Sequence, residues 1–158
     1  MTNNWELTTL LNRALELVNS GAALREKREP VGVANPPEAV YGLCWDMATF
    51  EQEQMRVLLV DTKNRVRRIV LLYQGTLNAS VVRIAELFRD AIRDNAAAII
   101  VVHNHPSGDP NPSQEDDILT RRLREAGNLL QMPLVDHIVI ADGRWYPYAS
   151  SGRDWWGE

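Results

Sequence analysis

Two rhythms of apolar residues alternate along the chain. In residues 5–18, Leu7, Leu10, Leu11, Ala14, Leu15 and Val18 fall at helical spacing and predict an amphipathic helix, which Asn19, Ser20 and Gly21 end. Residues 22–37 mix charges with prolines and read as a linker. From Pro37, PEAVYGLCWDMAT reads as a short helix. Residues 55–60 and 66–73 are rich in strand formers, and Asp61-Thr62-Lys63-Asn64 between them supplies turn chemistry, so together they predict a hairpin. Residues 80–95 return to the helical rhythm, with Ser80 as the expected N-cap. The unbroken run AAIIVV at 97–102 marks a strand buried on both faces. A polar loop, HNHPSGDPNPS, follows. Ser113 then opens a helix over QEDDILTRRLREAGNLL, and residues 134–140 and 145–148 predict two further strands around an Asp142-Gly143 turn. This order predicts a mixed α/β (α+β) domain, a central sheet flanked by helices, over residues 37–150. Residues 1–36 form an N-terminal helix and linker, and 151–158 a tail.

Composition narrows the function classes. With 158 residues, 45% of them hydrophobic, the chain is expected to bury one core. The apolar run at 96–102 is far too short to span a bilayer. No basic residue precedes the first apolar stretch, so it does not read as a signal peptide, and a cytoplasmic location is the expectation. One cysteine, Cys44, excludes an internal disulfide framework and a Cys-rich zinc site, and it reads as a small core residue. Against 21 acidic residues stand 17 basic ones, a net charge of −4, which argues against a dedicated nucleic-acid binder.

The candidate chemistry lies where the buried strand ends. His103 and His105 are two residues apart, so in an extended segment both point to one side. Asp116 follows eleven residues after His105, in the first turn of the next helix, across a loop stiffened by Pro106, Pro110 and Pro112. Two histidines and a carboxylate with a fourth position open is the composition of a catalytic zinc site. Ser113-Gln114-Glu115-Asp116 is equally a good helix start, and the two readings are compatible.

The pattern His103-x-His105-Pro106-x6-Ser113-x2-Asp116 resembles the JAMM motif of the MPN/JAB metallohydrolases. GTLNAS at 75–80, AAIIVVHNHPSGDPNPS at 97–113 and LVDHIVIADGR at 134–144 resemble the bacterial RadC-like branch of that family, and the resemblance runs over residues 37–150. It implies a cytidine-deaminase-like fold, Zn2+ held by His103, His105 and Asp116, and Ser113 steadying an oxyanion. It also implies an upstream glutamate acting as general base. Glu53, eight residues before Asp61, matches that position, with Glu51 as the competitor. The implied reaction is hydrolysis of a peptide, isopeptide or other amide bond. In two places the chain departs from the pattern. Arg83, Ile84, Ala85 and Glu86 stand where many RadC-like proteins carry a His-Pro-Arg-Glu word, and the 36 residues before the domain are too few for the helix-hairpin-helix region often associated with DNA.

Other residues read more plainly. His137 reads as a packed or hydrogen-bonded strand histidine, with a supporting partner of the metal ligands as the sharper alternative, and Asp109 as a turn residue before Pro110, with a substrate contact as the alternative. Lys63, Arg65, Arg67 and Arg68 on the hairpin, and Arg121, Arg122 and Arg124 on the later helix, are solvated charges, with a local phosphate patch as the sharper alternative. Trp145, Trp155 and Trp156 pack the C-terminal edge. Two function classes compete with the zinc hydrolase: a DNA-repair-associated protein binding DNA or a DNA-bound partner, and a catalytically silent scaffold. The substrate class expected for the hydrolase is a peptide, protein or small amide.

Overall fold

Strands whose residues are apolar in both parities need cover on both faces, and that requirement organises the domain. The computed structural model describes residues 29–75 and 82–152. In chain order these form β1 (Gly32–Val33), α1 (Pro37–Cys44) running into a 3-10 turn (Trp45–Thr49), β2 (Gln54–Val60), β3 (Arg65–Gln74), α2 (Ile84–Arg93), β4 (Ala98–Asn104), α3 (Gln114–Leu129), β5 (Leu134–Ala141) and β6 (Arg144–Pro147). The sheet order is β1-β3-β2-β4-β5-β6. Only β4 and β5 run parallel, as the α3 crossover between them requires; the other neighbours are antiparallel.

Alternation along β2 and β4 sorts their side chains into two cores. Met55, Val57, Leu59, Ile99 and Val101 face Leu87, Phe88 and Ala91 of α2 and Leu119 and Leu123 of α3. Leu58, Val60, Ile100 and Val102 face Val40 and Cys44 of α1 and Met47 of the 3-10 turn. Every residue of β4 is buried, which explains its unbroken apolar run. Cys44 is part of the second core, and burial pushes its thiol up to about 11, so it packs as an inert apolar group. No helix among the described residues is long and apolar enough to cross a membrane.

Several boundaries differ from the sequence expectation, most by a single residue. Gly32 and Val33, read as linker, pair with Val66 and Arg65 as an edge strand. The helix expected over 80–95 begins at Ile84 with Arg83 at its N-cap, making no side-chain cap bond, and ends before Asn95, whose φ of 52° is not helical; Ser80 lies outside the described residues, as do the helix at 5–18 and Trp155 and Trp156. The strand read as ending at 102 continues through His103 and Asn104, because β2 and β5 pair with it there, Met55 and Val139 opposite His103 and Ile140 opposite Asn104. The last strand is Arg144–Pro147, one residue early. The hairpin turn is as expected: Asp61 Oδ1 accepts from the N–H groups of Lys63 (2.9 Å) and Arg65 (3.1 Å).

Gly127 sets how closely α3 lies on the start of β5. A Cβ at this position would stand 2.8 Å from the Met132 carbonyl oxygen and 3.1 Å from the Leu134 nitrogen, both rigid backbone. In an open helix, Gly→Ala gains about 1 kcal/mol. Here Gly127→Ala is expected to lower stability by about 1–3 kcal/mol through overpacking, measured by urea denaturation.

Candidate metal centre

Strand alternation and one helix cap bring the candidate ligands together. His103, 2% exposed, follows Ile99 and Val101 onto the face covered by α3. His105 stands just past β4, but its N–H still extends the parallel ladder to Ile140 O at 2.8 Å, so its side chain returns to the same face. The two Nε2 atoms are 2.9 Å apart. Asp116, from the first turn of α3, places Oδ1 3.1 Å from His103 Nε2 and Oδ2 3.3 Å from His105 Nε2. These three residues form a cluster able to hold a metal ion.

The helix-cap and ligand readings hold at once. Ser113 Oγ accepts from the Asp116 N–H at 3.2 Å, while Asp116 Oδ2 accepts from the Ser113 N–H and Oγ–H, both at 2.7 Å, completing a capping box. The cap therefore aims the carboxylate at the histidines. His105 is aimed by its own loop: its Nδ1 donates to the Asp109 carbonyl at 2.9 Å. Asp109 is the turn residue expected, its Oδ1 accepting from the backbone and side-chain amides of Asn111 at 3.0 and 2.8 Å. Arg144 pins the loop to β6 by donating to Gly108 O at 2.7 Å.

Burial disfavours charge on Asp116 and His105, yet their mutual attraction outweighs it. The two imidazoles hold Asp116 well below the usual carboxylate range. The Asp116 carboxylate and the Asp109 carbonyl, with a contribution from Glu53, hold His105 above its ordinary value.

Glu53 immediately precedes β2 and is half-buried, whereas Glu51 is exposed. Its position depends on Asn104, the residue between the two histidines. Past Met55 and His103 the β2–β4 backbone ladder stops, and the buried Asn104 amide takes its place. Asn104 Oδ1 accepts from Gln54 N at 2.6 Å, and Nδ2 donates to Gln52 O at 3.1 Å. The peptides on either side of Glu53 are thus held in extended register, which keeps Glu53 on the face shared by Met55 and His103.

His137, on β5, is fully buried. Its Nε2 lies 2.8 Å from His103 Nδ1 and its Nδ1 2.6 Å from Thr120 Oγ1. Burial drives its pKa well below the ordinary value, and the neighbouring His103 adds to this. Cys44 and the hairpin cations lie apart from this group of contacts. Arg65 and Arg67 face Asp61, and Arg68 binds Asp90 and Asp94. Trp145 stacks on Tyr41 at 4.6 Å.

A family model described as RadC-like JAB domain matches residues 34–153. The chain belongs to the RadC-like JAB domain family. Among curated relatives, a UPF0758 protein of Roseiflexus castenholzii is 46% identical over 145 residues, 92% of this chain and 62% of its own length. One from Geotalea uraniireducens is 43% identical over 143 residues, 90% of this chain and 62% of its own length. One from Trichlorobacter lovleyi is 50% identical over 101 residues, 64% of this chain and 44% of its own length. The chain thus spans less than two thirds of the relatives it matches. The mixed sheet with flanking helices is consistent with the JAB/MPN fold.

Sequence reading passed over Asn104, Thr120 and the Asp109 carbonyl. A signal existed for the first: a polar residue between two side chains that share a face must point to the opposite, covered face. Thr120 stands four residues after Asp116, on the same side of α3.

Two measurements follow. Asn104→Ala is expected to cost about 1–3 kcal/mol in urea denaturation, because it leaves the buried amide of Gln54 and carbonyl of Gln52 without their partner. Because His105 is held above its usual pKa, a proton occupies Nε2 as the pH falls through that value, and a metal must expel it. Zn2+ affinity, followed by chelator competition, is therefore expected to fall by about tenfold per pH unit below that point and to level off above it.

Proposed function

We propose that this RadC-like JAB domain is a JAMM-type metallohydrolase that holds Zn2+ through His103, His105 and Asp116 and hydrolyses a peptide, isopeptide or other amide bond. One observation carries the reading. The Nδ1 proton of His105 is committed to Asp109 O, so its Nε2 lone pair, the Nε2 of His103 and the Asp116 carboxylate converge within 2.9–3.3 Å. Electron-rich atoms held this close repel one another unless a cation, whether proton or metal, sits among them. Two imidazole nitrogens and one carboxylate gathered in this way are the donor set that would hold Zn2+ in a catalytic site with one position left open.

When bound, zinc supplies Lewis acidity and lowers the pKa of a coordinated water from 15.7 to about 7. Glu53, half-buried and near enough for its charge to act on His105, takes the proton of the attacking water and passes it to the leaving amine. Ser113 donates its hydroxyl to the oxygen that gains charge as the carbonyl is attacked. That hydroxyl proton is given to Asp116 Oδ2 in the resting arrangement. On turning away it leaves Asp116 still held by the Ser113 N–H.

The DNA-associated reading draws less support. Arg65, Arg67 and Arg68, the hairpin cations that would meet phosphates, face Asp61, Asp90 and Asp94.

The test is metal content of protein purified without added zinc, followed by hydrolysis of a panel of peptide and isopeptide amides. About one zinc per chain is expected, lost in His103→Ala/His105→Ala. Glu53→Gln is expected to keep the zinc and lose hydrolysis by about 10²–10⁴-fold. Wild-type protein that takes up no metal from a zinc-containing buffer overturns the proposal.

A further inference from the structure

We propose that Thr120 and His137 are positioning residues that lock His103 in the tautomer presenting a bare Nε2 to the metal. The inference rests on the metal reading above but is carried by separate atoms. Heavy-atom separations assign the protons. Thr120 Oγ1 lies 2.6 Å from the Asp116 carbonyl oxygen. A carbonyl has no proton to give, so the threonine hydroxyl donates there, in the back-bond that a helical threonine makes to the residue four positions earlier. With its one proton spent, Oγ1 can only accept from His137 Nδ1, 2.6 Å away.

A neutral His137 protonated at Nδ1 has a bare Nε2, and this accepts from His103 Nδ1 at 2.8 Å. His103 thereby carries a proton on Nδ1, so Nε2, which faces Asp116 Oδ1 and His105, is the nitrogen whose lone pair a metal can take once any proton shared with Asp116 is displaced. The opposite polarity would put a proton on His103 Nε2 and block the metal-facing nitrogen. Direction in this relay is fixed at its far end by an acceptor that cannot reverse.

Neighbouring contacts hold the His137 ring in this position. Its ring is stacked on Tyr148 at 5.0 Å and 7°, and the ring is fully buried. The Tyr148 hydroxyl gives its proton to Asp117 Oδ1 at 2.9 Å and also lies beside Thr120. Both ends of the relay belong to Asp116: its peptide oxygen receives the hydroxyl of Thr120, and its carboxylate meets the nitrogen that the relay keeps bare. A valine and a leucine at positions 120 and 137 would fill the same core without desolvating an imidazole and a hydroxyl.

The experiment compares wild type, Thr120→Val and Thr120→Ser in the full chain, with Zn2+ as probe. Long-range ¹H–¹⁵N spectra of the metal-free and zinc-loaded protein read the tautomers, and chelator competition at fixed pH reads affinity. We expect His103 and His137 to be protonated at Nδ1 in zinc-loaded wild type and His137 to be so before zinc is added. We expect Thr120→Val to weaken zinc binding by about 10–100-fold and Thr120→Ser, which keeps the hydroxyl, to stay within about threefold of wild type. A wild-type His137 protonated at Nε2 overturns the relay, as does a folded Thr120→Val with wild-type zinc affinity. Should Thr120→Val fail to fold, the wild-type tautomers and Thr120→Ser still decide. Wild type that binds no zinc defeats the metal reading instead, while the metal-free spectra judge the relay separately.

Discussion

Atoms bearing lone pairs do not stay about 3 Å apart without restraint, and the centre of this domain is built around restraining three of them. His103 and His105 are fixed by the last residues of a strand that is paired on both sides, and Asp116 by the cap of a helix. Each support comes from a different part of the chain. The sheet, the crossover helix and the proline-containing loop must all be in place before the three atoms converge. The rest of the fold follows from that demand: two apolar cores hold β4 rigid from both faces, and α3 is drawn against β5 closely enough that only glycine fits at position 127.

Around the ligands lies a set of buried polar groups that meet one another at hydrogen-bond distance. Asn104 imitates a missing strand on one face of β4, and His137 with Thr120 satisfies His103 on the other. Buried polar groups cost free energy unless paired, and partial pairing is worse than an apolar core. Their pairing here lets a site of ionisable residues sit at the end of a wholly buried strand. It also explains why the polar residues His103 and Asn104 continue β4 rather than breaking it.

Much of this was legible in the sequence. Alternation and turn chemistry located β2, β3, β4, α3 and β5, because burial on one or both faces leaves a periodic trace. The candidate ligands were legible because their spacing is local: two residues within a strand, then a helix cap. Groups whose role depends on distant partners left no such trace. Asn104 bonds across 50 positions to Gln54, His137 across 34 to His103, and Thr120 across 17 to His137. Only the packed sheet reveals those meetings. His137 was readable as a bonded strand histidine, with support of the ligands only as the alternative, and nothing local said that His103 is the residue it meets. The short edge strand at Gly32 and Val33 was hidden because charge and proline outweigh a two-residue pairing signal.

The capping box of α3 carries a consequence for how the domain can change over time. Its third residue is usually glutamate or glutamine, which reach the cap backbone comfortably. Here it is the shorter aspartate, whose second oxygen is turned toward His103. One carboxylate thus serves helix nucleation and the candidate centre together. The first turn of α3 cannot fray without opening that centre, and occupancy of the centre stiffens that turn by linkage. A longer residue at position 116 that served the cap alone would withdraw the carboxylate from His103.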